Sequence, residues 1–421
     1  AYAGRSVPER TASYGQRKFG SRNPLTLPLG YRYSSVFAGI RKTQHDDLGL
    51  IVSDYPAAAA GVFTRNRVQA APVRVARASL ASSGGTAQAI LVNAGNANCA
   101  TVTGDSVAQE SCQAVAARLN IPVDRVLPAS TGVIGVELPS EKITGNLDRL
   151  VHGLAAGRFE DVARAIMTTD QKVKMAFDDV PLSAGVVRIA GMTKGAGMIH
   201  PNMATTLGFV LTDAEIPAAW LRRMLAHGVS HSYNRISVDS DTSTNDTVLL
   251  LANGASGVKP TGKEEAAFQE ALGRVMDSLA EQIVRDGEGA RKLITIYISG
   301  AMDEQAADRI ARSIANSPLV KTAVAGSDPN WGRVLSAAGN SGVEFDPSHV
   351  NISMQGILVC QGGVAAPFSE DDLKQKLDAI ECVIRFEIMS ALSNQKPSGE
   401  VRFWTCDLTE KYIEINASYR T

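Results

Sequence analysis

The chain has 421 residues, 44% of them apolar and 20% charged, and its 42 basic and 43 acidic side chains leave a net charge of −1. That composition belongs to a globular protein with a substantial core and excludes disorder as the main state. A neutral balance with 5% aromatics argues against a nucleic-acid partner, which needs a basic footprint or a stacking platform, and no apolar run of about 18 residues is present to span a membrane.

Residues 1–23 carry Arg5, Arg10, Arg17, Lys18 and Arg22 against one acid, Glu9, among many Ser and Gly. This is the composition of an organelle transit peptide or its remnant, and equally of a basic cytoplasmic tail. From about residue 24, strand-like and helix-like segments alternate. Residues 89–92 read as a short strand running into a small-residue turn at 93–98. Ser106 with Gln109 has capping-box spacing and predicts a helix over 106–119. Residues 126–129 read as a strand entering a turn at Ser130-Thr131-Gly132. Helical periodicity covers 141–155 and 159–168, and strands are expected at 185–191 and 207–212. Further on, helices are predicted over 217–228, 263–285 and 302–315. Strands are predicted over 247–252, 293–299, 350–359, 382–388 and 401–405. This mixture implies closely joined α/β or α+β layers.

Five cysteines (Cys99, Cys112, Cys360, Cys382, Cys406) are scattered without a Cys-x-x-Cys, which reads as reduced thiols instead of a disulfide frame or zinc site. His227 and His231 have i, i+4 spacing, but no third ligand completes a metal pattern.

Residues 193–209 read Thr-Lys-Gly-Ala-Gly-Met-Ile-His-Pro-Asn-Met-Ala-Thr-Thr-Leu-Gly-Phe. Two glycines and a proline spoil a helix, while Met and Ala spoil an ordinary polar loop. Lys194 stands beside Gly195 and Gly197, which permit close backbone approach by a ligand. A small residue, Ala204, precedes the hydroxyls of Thr205 and Thr206 and then an apolar strand. Such a place suits either an autoproteolytic nucleophile or a buried loop with satisfied hydroxyls.

The stretch from Lys194 to Thr205 resembles the signature of the ornithine acetyltransferase family, also called bifunctional glutamate N-acetyltransferase: Lys-Gly-x-Gly-Met-Ile-x-Pro-x-Met-Ala-Thr. Similar blocks occur in order along the chain: 46–51 (weakly), 62–66, 71–73, 93–98, 130–135, 167–170, 243–247, 287–290 and 328–333. The resemblance implies an α/β fold: a layered sandwich of two mixed sheets covered by helices (αββα-like), with a smaller C-terminal region. It implies self-cleavage between Ala204 and Thr205 into an α part (24–204, after the leader 1–23) and a β part (205–421), both contributing to one fold. Thr206 departs from the Met or Leu often found there, which leaves Thr205 and Thr206 as neighbouring candidates.

By the same resemblance, Thr205 is the nucleophile, and its freed α-amine, with an ordinary pKa of about 7.7–8.0, acts as base. The Thr131 hydroxyl and Gly132 N–H form the oxyanion hole. Thr168, Lys194, Thr205, Glu288, Asn416 and Thr421 contact substrate. Lys194 suits a carboxylate, and Glu288 suits an ammonium or a proton transfer. The implied reaction passes an acetyl group from N-acetylornithine to glutamate through acetyl-Thr205. Acetyl-CoA is a further donor, and no metal or organic cofactor is needed. The α and β chains are expected to associate as α₂β₂, in the mitochondrial matrix or, for a bacterial chain, the cytoplasm. An aminopeptidase or amidase of related self-cleaving architecture is the alternative, separated by passing the acyl group to water.

Overall fold

The computed structural model describes residues 26–200, 206–389 and 399–418. The leader 1–23, the expected cleavage pair Ala204 and Thr205, and Thr421 lie outside these residues. In chain order the strands are β1 (Tyr31–Val36), β2 (Leu48–Phe63), β3 (Thr86–Asn96), β4 (Val126–Val133), β5 (Lys174–Leu182), β6 (Gly185–Lys194), β7 (Leu207–Thr212), β8 (Ile236–Ser237), β9 (Thr247–Ala252), β10 (Leu293–Ala301), β11 (Val350–Met354), β12 (Ile357–Gln361), β13 (Val364–Ala365), β14 (Glu381–Ile388) and β15 (Gly399–Cys406). The helices are α1 (Ala71–Ser82), α2 (Gly104–Leu119), α3 (Ser140–Thr144), α4 (Leu147–His152), α5 (Phe159–Ala165), α6 (Ala218–His231), α7 (Lys263–Arg285), α8 (Glu304–Ala315), α9 (Pro318–Ala325), α10 (Trp331–Gly339), α11 (Glu370–Leu377) and α12 (Glu410–Ser418).

Two mixed sheets result. The first has eight strands in the order β4-β3-β2-β9-β7-β6-β5, with β1 paired to β2; the second has seven, β13-β12-β11-β14-β10-β15-β8. Strand β2 spans 16 residues and pairs with β1, β3 and β9. Its register against β3 slips between Val52 and Ala57, around Pro56, which has no N–H to give the ladder. One strand therefore serves both halves of the sheet.

Alternation along the strands builds the layers. Leu48, Leu50, Leu91 and Val126 pack with Val107, Cys112 and Val115 of α2 and with Ile143 and Leu150 of α3 and α4. The opposite-facing Ile51, Ile90, Val92 and Leu127 share one cluster with Met192, Phe209, Leu211 and Leu249 from the other half. Val187, Ile189, Val210, Val248 and Leu250 then pack against α6 and α7. Within the first sheet the order is helix, half-sheet, half-sheet, helix, with the two inner halves continuous through β2. In the second sheet, Ile294, Ile296, Ile384, Phe386 and Phe403 pack with residues of α8, α9 and α10. Leu293, Trp404 and Cys406 instead join the cluster around α7, so that helix lies between the sheets. Each fully buried Leu, Ile or Phe contributes roughly 1.5–3 kcal/mol.

Helix α7 runs over the expected residues. Glu264 and Glu265 occupy its first turn and Arg285 its last, matching the helix dipole. Phe268, Leu272, Val275, Leu279 and Ile283 form its buried stripe. The capping box expected at Ser106 is not formed. Helix α2 begins at Gly104, and the Ser106 hydroxyl donates to the Thr103 carbonyl at 2.8 Å. The Glu137 carboxylate, far along the chain, takes the N–H groups of Val102 and Thr103 just ahead of the helix. The helix expected over 141–155 breaks at Gly145-Asn146 into α3 and α4. The strand expected over 350–359 is a hairpin, because Gln355 and Gly356 turn at φ of +49° and +78°. The turn expected at 93–98 is partly strand, since β3 runs to Asn96, and that expected at 130–132 lies wholly within β4.

All five cysteines are buried and unpaired. Among the described residues no helix is long and apolar enough to cross a membrane.

Candidate active site

Antiparallel pairing of β6 with β7 sets Lys194 opposite Leu207, at the end of one strand and the start of the next. Next to this edge lies a cavity with about 990 Å³ of empty space, open to solvent. Of the residues expected at the site, Thr131, Gly132, Thr168, Lys194, Glu288 and Asn416 all line it. They come from β4, the loop after α5, β6, the turn after α7, and α12. Thr205 and Thr421 lie outside the described residues, so the structure tests neither.

Thr131 and Gly132, expected as the oxyanion pair, sit where β4 ends. Gly132 has φ of +132°, and a Cβ there would lie 2.2 Å from the carbonyl carbon of Gly95. Only glycine permits β3 and β4 to close so tightly. Asparagines hold the neighbouring loop. The Ser130 hydroxyl donates to Asn93 Oδ1 at 2.5 Å, and Asn93 Nδ2 donates to the Asn96 carbonyl at 2.9 Å. From the segment just before β9, Asn245 Nδ2 donates to the carbonyls of Ala97 and Ser130 at 2.6 and 2.8 Å. Thr131 and Gly132 are thereby tied to the strand that neighbours β7.

Lys194 is half-buried, with Nζ 3.5 Å from the Thr168 hydroxyl. Burial pushes its pKa down, against the Asp170, Asp246 and Glu288 carboxylates; Lys174 adds to the downward push. Beneath it lies a buried ionic cluster. Lys174 Nζ is 2.6 Å from Asp170 Oδ1 and 2.5 Å from Asp286 Oδ2, with all three side chains nearly inaccessible. Asp170 also accepts the N–H groups of Gly195 at 2.7 Å and Thr168 at 2.9 Å. Burial raises its pKa, but Lys174, Lys194 and these donors outweigh that and hold it below the usual carboxylate value. One carboxylate thus positions the backbone beside both Thr168 and Lys194.

Glu288 is buried against Gly197, where a Cβ would lie 2.4 Å from Glu288 Oε2. Its Oε2 accepts from Asn416 Nδ2 at 2.8 Å. Its N–H donates to the Ala196 carbonyl at 2.8 Å, which fixes this turn against the loop that follows Lys194. Gly289, at φ of +73°, lets the turn pass under α12, since a Cβ there would lie 2.5 Å from the Tyr412 nitrogen.

Thr206 is 3% exposed, and its hydroxyl bonds to the Lys194 carbonyl and lies 3.0 Å from the Thr193 hydroxyl. Its carbonyl accepts from the Thr247 N–H at 2.8 Å. Of the two adjacent hydroxyls left open by the sequence, that of Thr206 is therefore engaged in joining β6 to β7.

The cavity also contains residues to which the sequence assigned no role: Asp239, Asp241, Asn245, Asp246 and Tyr412. Asp239 accepts the N–H groups of Met198 and Ile199 at 2.6 and 2.8 Å, and burial raises its pKa. Asn245 and Asp246 stood in a family-like block, 243–247, which was their only signal. His227 and His231 lie apart, on α6, with ring centroids 4.2 Å apart.

The arrangement sets the Thr131 hydroxyl and Gly132 backbone, a lysine and several carboxylates around the start of a strand, which suits acyl transfer with a small charged substrate. Residues 32–421 match the ArgJ family. A relative from Thermus thermophilus, "Arginine biosynthesis bifunctional protein ArgJ", is 46% identical over 398 residues, covering 94% of this chain and all of the relative. A solved ArgJ structure from Bacillus halodurans is 38% identical, with a TM-score of 0.47, covering 50% of this chain and 98% of the solved chain. The ornithine acetyltransferase of Mycobacterium tuberculosis, solved with ornithine, is 34% identical, with a TM-score of 0.37, covering 42% of this chain and 94% of the solved chain.

Proposed function

The chain belongs to the ArgJ family, and from that premise we infer that it is an acyltransferase of arginine biosynthesis, acting on small molecules. Its reaction moves an acetyl group from N-acetylornithine to glutamate, with acetyl-CoA as a second donor. The observation that carries this reading is the convergence of Thr131, Gly132, Thr168, Lys194, Glu288 and Asn416 on one cavity beside the start of β7.

The chain first cuts itself between Ala204 and Thr205. The Thr205 hydroxyl attacks the Ala204 carbonyl, and water hydrolyses the resulting ester. Cleavage frees the Thr205 α-amine, which is no base while held in a peptide bond but titrates near neutrality once released. The hydroxyl then takes the acetyl group while Thr131 and Gly132 stabilise the oxyanion; one such donor is typically worth about 10²–10³ in rate. Lys194 neutralises a substrate carboxylate, and Glu288 with Asn416 holds a polar end. Thr168 and Thr421 complete the contacts. The chemistry uses no metal or organic cofactor.

The two products remain together, as α₂β₂. The Arg-rich composition of residues 1–23 is what supports a mitochondrial location; the relatives compared are bacterial, which supports the cytoplasmic alternative. A reporter fused to residues 1–30 distinguishes them by its destination.

Intact mass spectrometry tests the central reading. The wild-type chain should give two fragments meeting at Ala204 and Thr205, with about 42 Da of acetyl mass on the second after exposure to N-acetylornithine, as expected for a covalent acyl intermediate. Thr205→Ala should remain one chain without acetyl mass. Two fragments from that variant would remove Thr205 as the nucleophile.

A further inference from the structure

Within the acetyl-transfer reading, on which this assignment rests, we propose that Asp246 is a further catalytic residue: it gives a proton to the departing nitrogen of the acetyl donor and takes one from the attacking nitrogen of the acceptor. Asp246 lines the same cavity as Thr131, Lys194 and Glu288. It is 2% exposed, and its Oδ2 has no hydrogen-bond partner among the described residues. A buried carboxyl oxygen left unpaired is costly and uncommon.

The backbone around Asp246 is held on both sides. Its carbonyl accepts from the Thr64 N–H at 2.9 Å, and the next residue, Thr247, donates to the Thr206 carbonyl at 2.8 Å. The parallel register of β7 and β9 sets Leu207 against Thr247, which places Asp246 beside Thr206, the residue after the nucleophile. The charged and titratable groups around this cavity are Lys194 from β6, Glu288 from the turn after α7, Asp239 and Asp241 from the segment between β8 and β9, and Tyr412 from α12. Burial pushes the Asp246 carboxyl well above its ordinary value, against Lys194 and the Ser243 and Thr64 hydroxyls. Burial thus favours its protonated form, the form a general acid needs.

The proton count closes over the two half-reactions. In the first, Thr205 Oγ bonds to the acetyl carbon and the C–N bond breaks. The hydroxyl proton passes to the Thr205 α-amine, the Asp246 proton passes to the leaving nitrogen, and ornithine departs. In the second, the glutamate amine bonds to the acetyl carbon and the C–O bond breaks. The proton lost by that amine goes to the Asp246 carboxylate, and the α-ammonium returns its proton to Oγ. Both groups end as they began.

A donor whose leaving group needs no proton separates this role from a structural one. p-Nitrophenyl acetate delivers the same acetyl group but releases a stable phenolate. Asp246→Asn should slow acetylation by N-acetylornithine by about 10²-fold or more and acetylation by the ester by less than about fivefold. Equal losses with both donors overturn the proposal. The wild-type enzyme supplies a second measurement that does not depend on the variant folding. Acetylation by N-acetylornithine should fall on the alkaline side as Asp246 loses its proton, whereas acetylation by the ester should not. The same alkaline limb with both donors overturns the proposal. If the wild-type enzyme accepts acetyl from neither donor, the acetyl-transfer reading fails and takes Asp246 with it. If it accepts both but Asp246→Asn does not discriminate between them, the reading stands and Asp246 alone is removed.

Discussion

Asp170 binds Lys174 and two backbone N–H groups in a site with almost no solvent, so its loss is expected to leave the buried ammonium with Asp286 as its remaining carboxylate partner and to loosen Thr168 and Gly195. Asp170→Asn should destabilise the fold by about 3–5 kcal/mol, measured by urea unfolding. Because the folded-state pKa of Asp170 is depressed, its contribution is fully present above the unfolded value near 4 and is lost as pH falls through the folded value. The difference in stability between wild type and Asp170→Asn should therefore shrink on acidification and remain constant from about pH 6 upward. At Gly132, Ala would collide with Gly95; Gly132→Ala should lower kcat by about 10²–10³-fold through displacement of an oxyanion donor, a loss that steady-state kinetics would detect. Lys194 and Glu288 were legible in the sequence because glycines flank them within recognisable blocks. Asp239 and Asp241 were not, because isolated acids carry no period or spacing, and only folding brings them to the cavity wall.

Among the elements, α7 was legible throughout because its buried positions recur every three or four residues and its ends carry the matching charges. Strand β2 was not. Ser53-Asp54-Tyr55-Pro56 at its centre has turn composition, and Ala57–Ala60 has helix propensity, yet pairing of the stretches before and after the register slip keeps the segment extended. The capping box failed for a related reason: Glu137 reaches the residues ahead of α2 from a distant loop, and local spacing cannot register a partner so far along the chain. The link through Asn245 belongs to this scale, since one amide ties the segment ahead of β9 to Ala97 and to Ser130 of β4. Asn245→Ala should lower kcat by about 10²-fold, as expected for a misplacement near 1 Å, with little change in KM; a KM rise with unchanged kcat would instead assign Asn245 to binding. Packing between helices offers another test. A Cβ at Gly228 of α6 would lie 2.4 Å from the Met276 sulfur of α7, so Gly228→Val should cost about 1–3 kcal/mol by overpacking, again read by urea unfolding.

Over the whole molecule, the Ala204–Thr205 junction divides the net charge of −1 into +7 for residues 1–204 and −8 for residues 205–421. Strand order nevertheless makes charge the lesser bond between the pieces. In the first sheet, β9 and β7 from the second piece are inserted between β2 and β6 from the first, and their side chains fill the clusters on both faces. The cleaved pieces should therefore elute together from a sizing column in 1 M salt, where screening acts within about 3 Å; separation there would make charge the dominant attraction. This interleaving also orders events in time. The Lys194 edge, the Asn245 clamp and the strand that begins at Leu207 come into register only when both pieces are in the sheet, so a scission that depends on them follows folding. The proposed cut would then serve as a certificate: in a freshly made preparation, the fraction of chains divided at residue 204 would count the molecules that reached the native topology, with no assay of activity required.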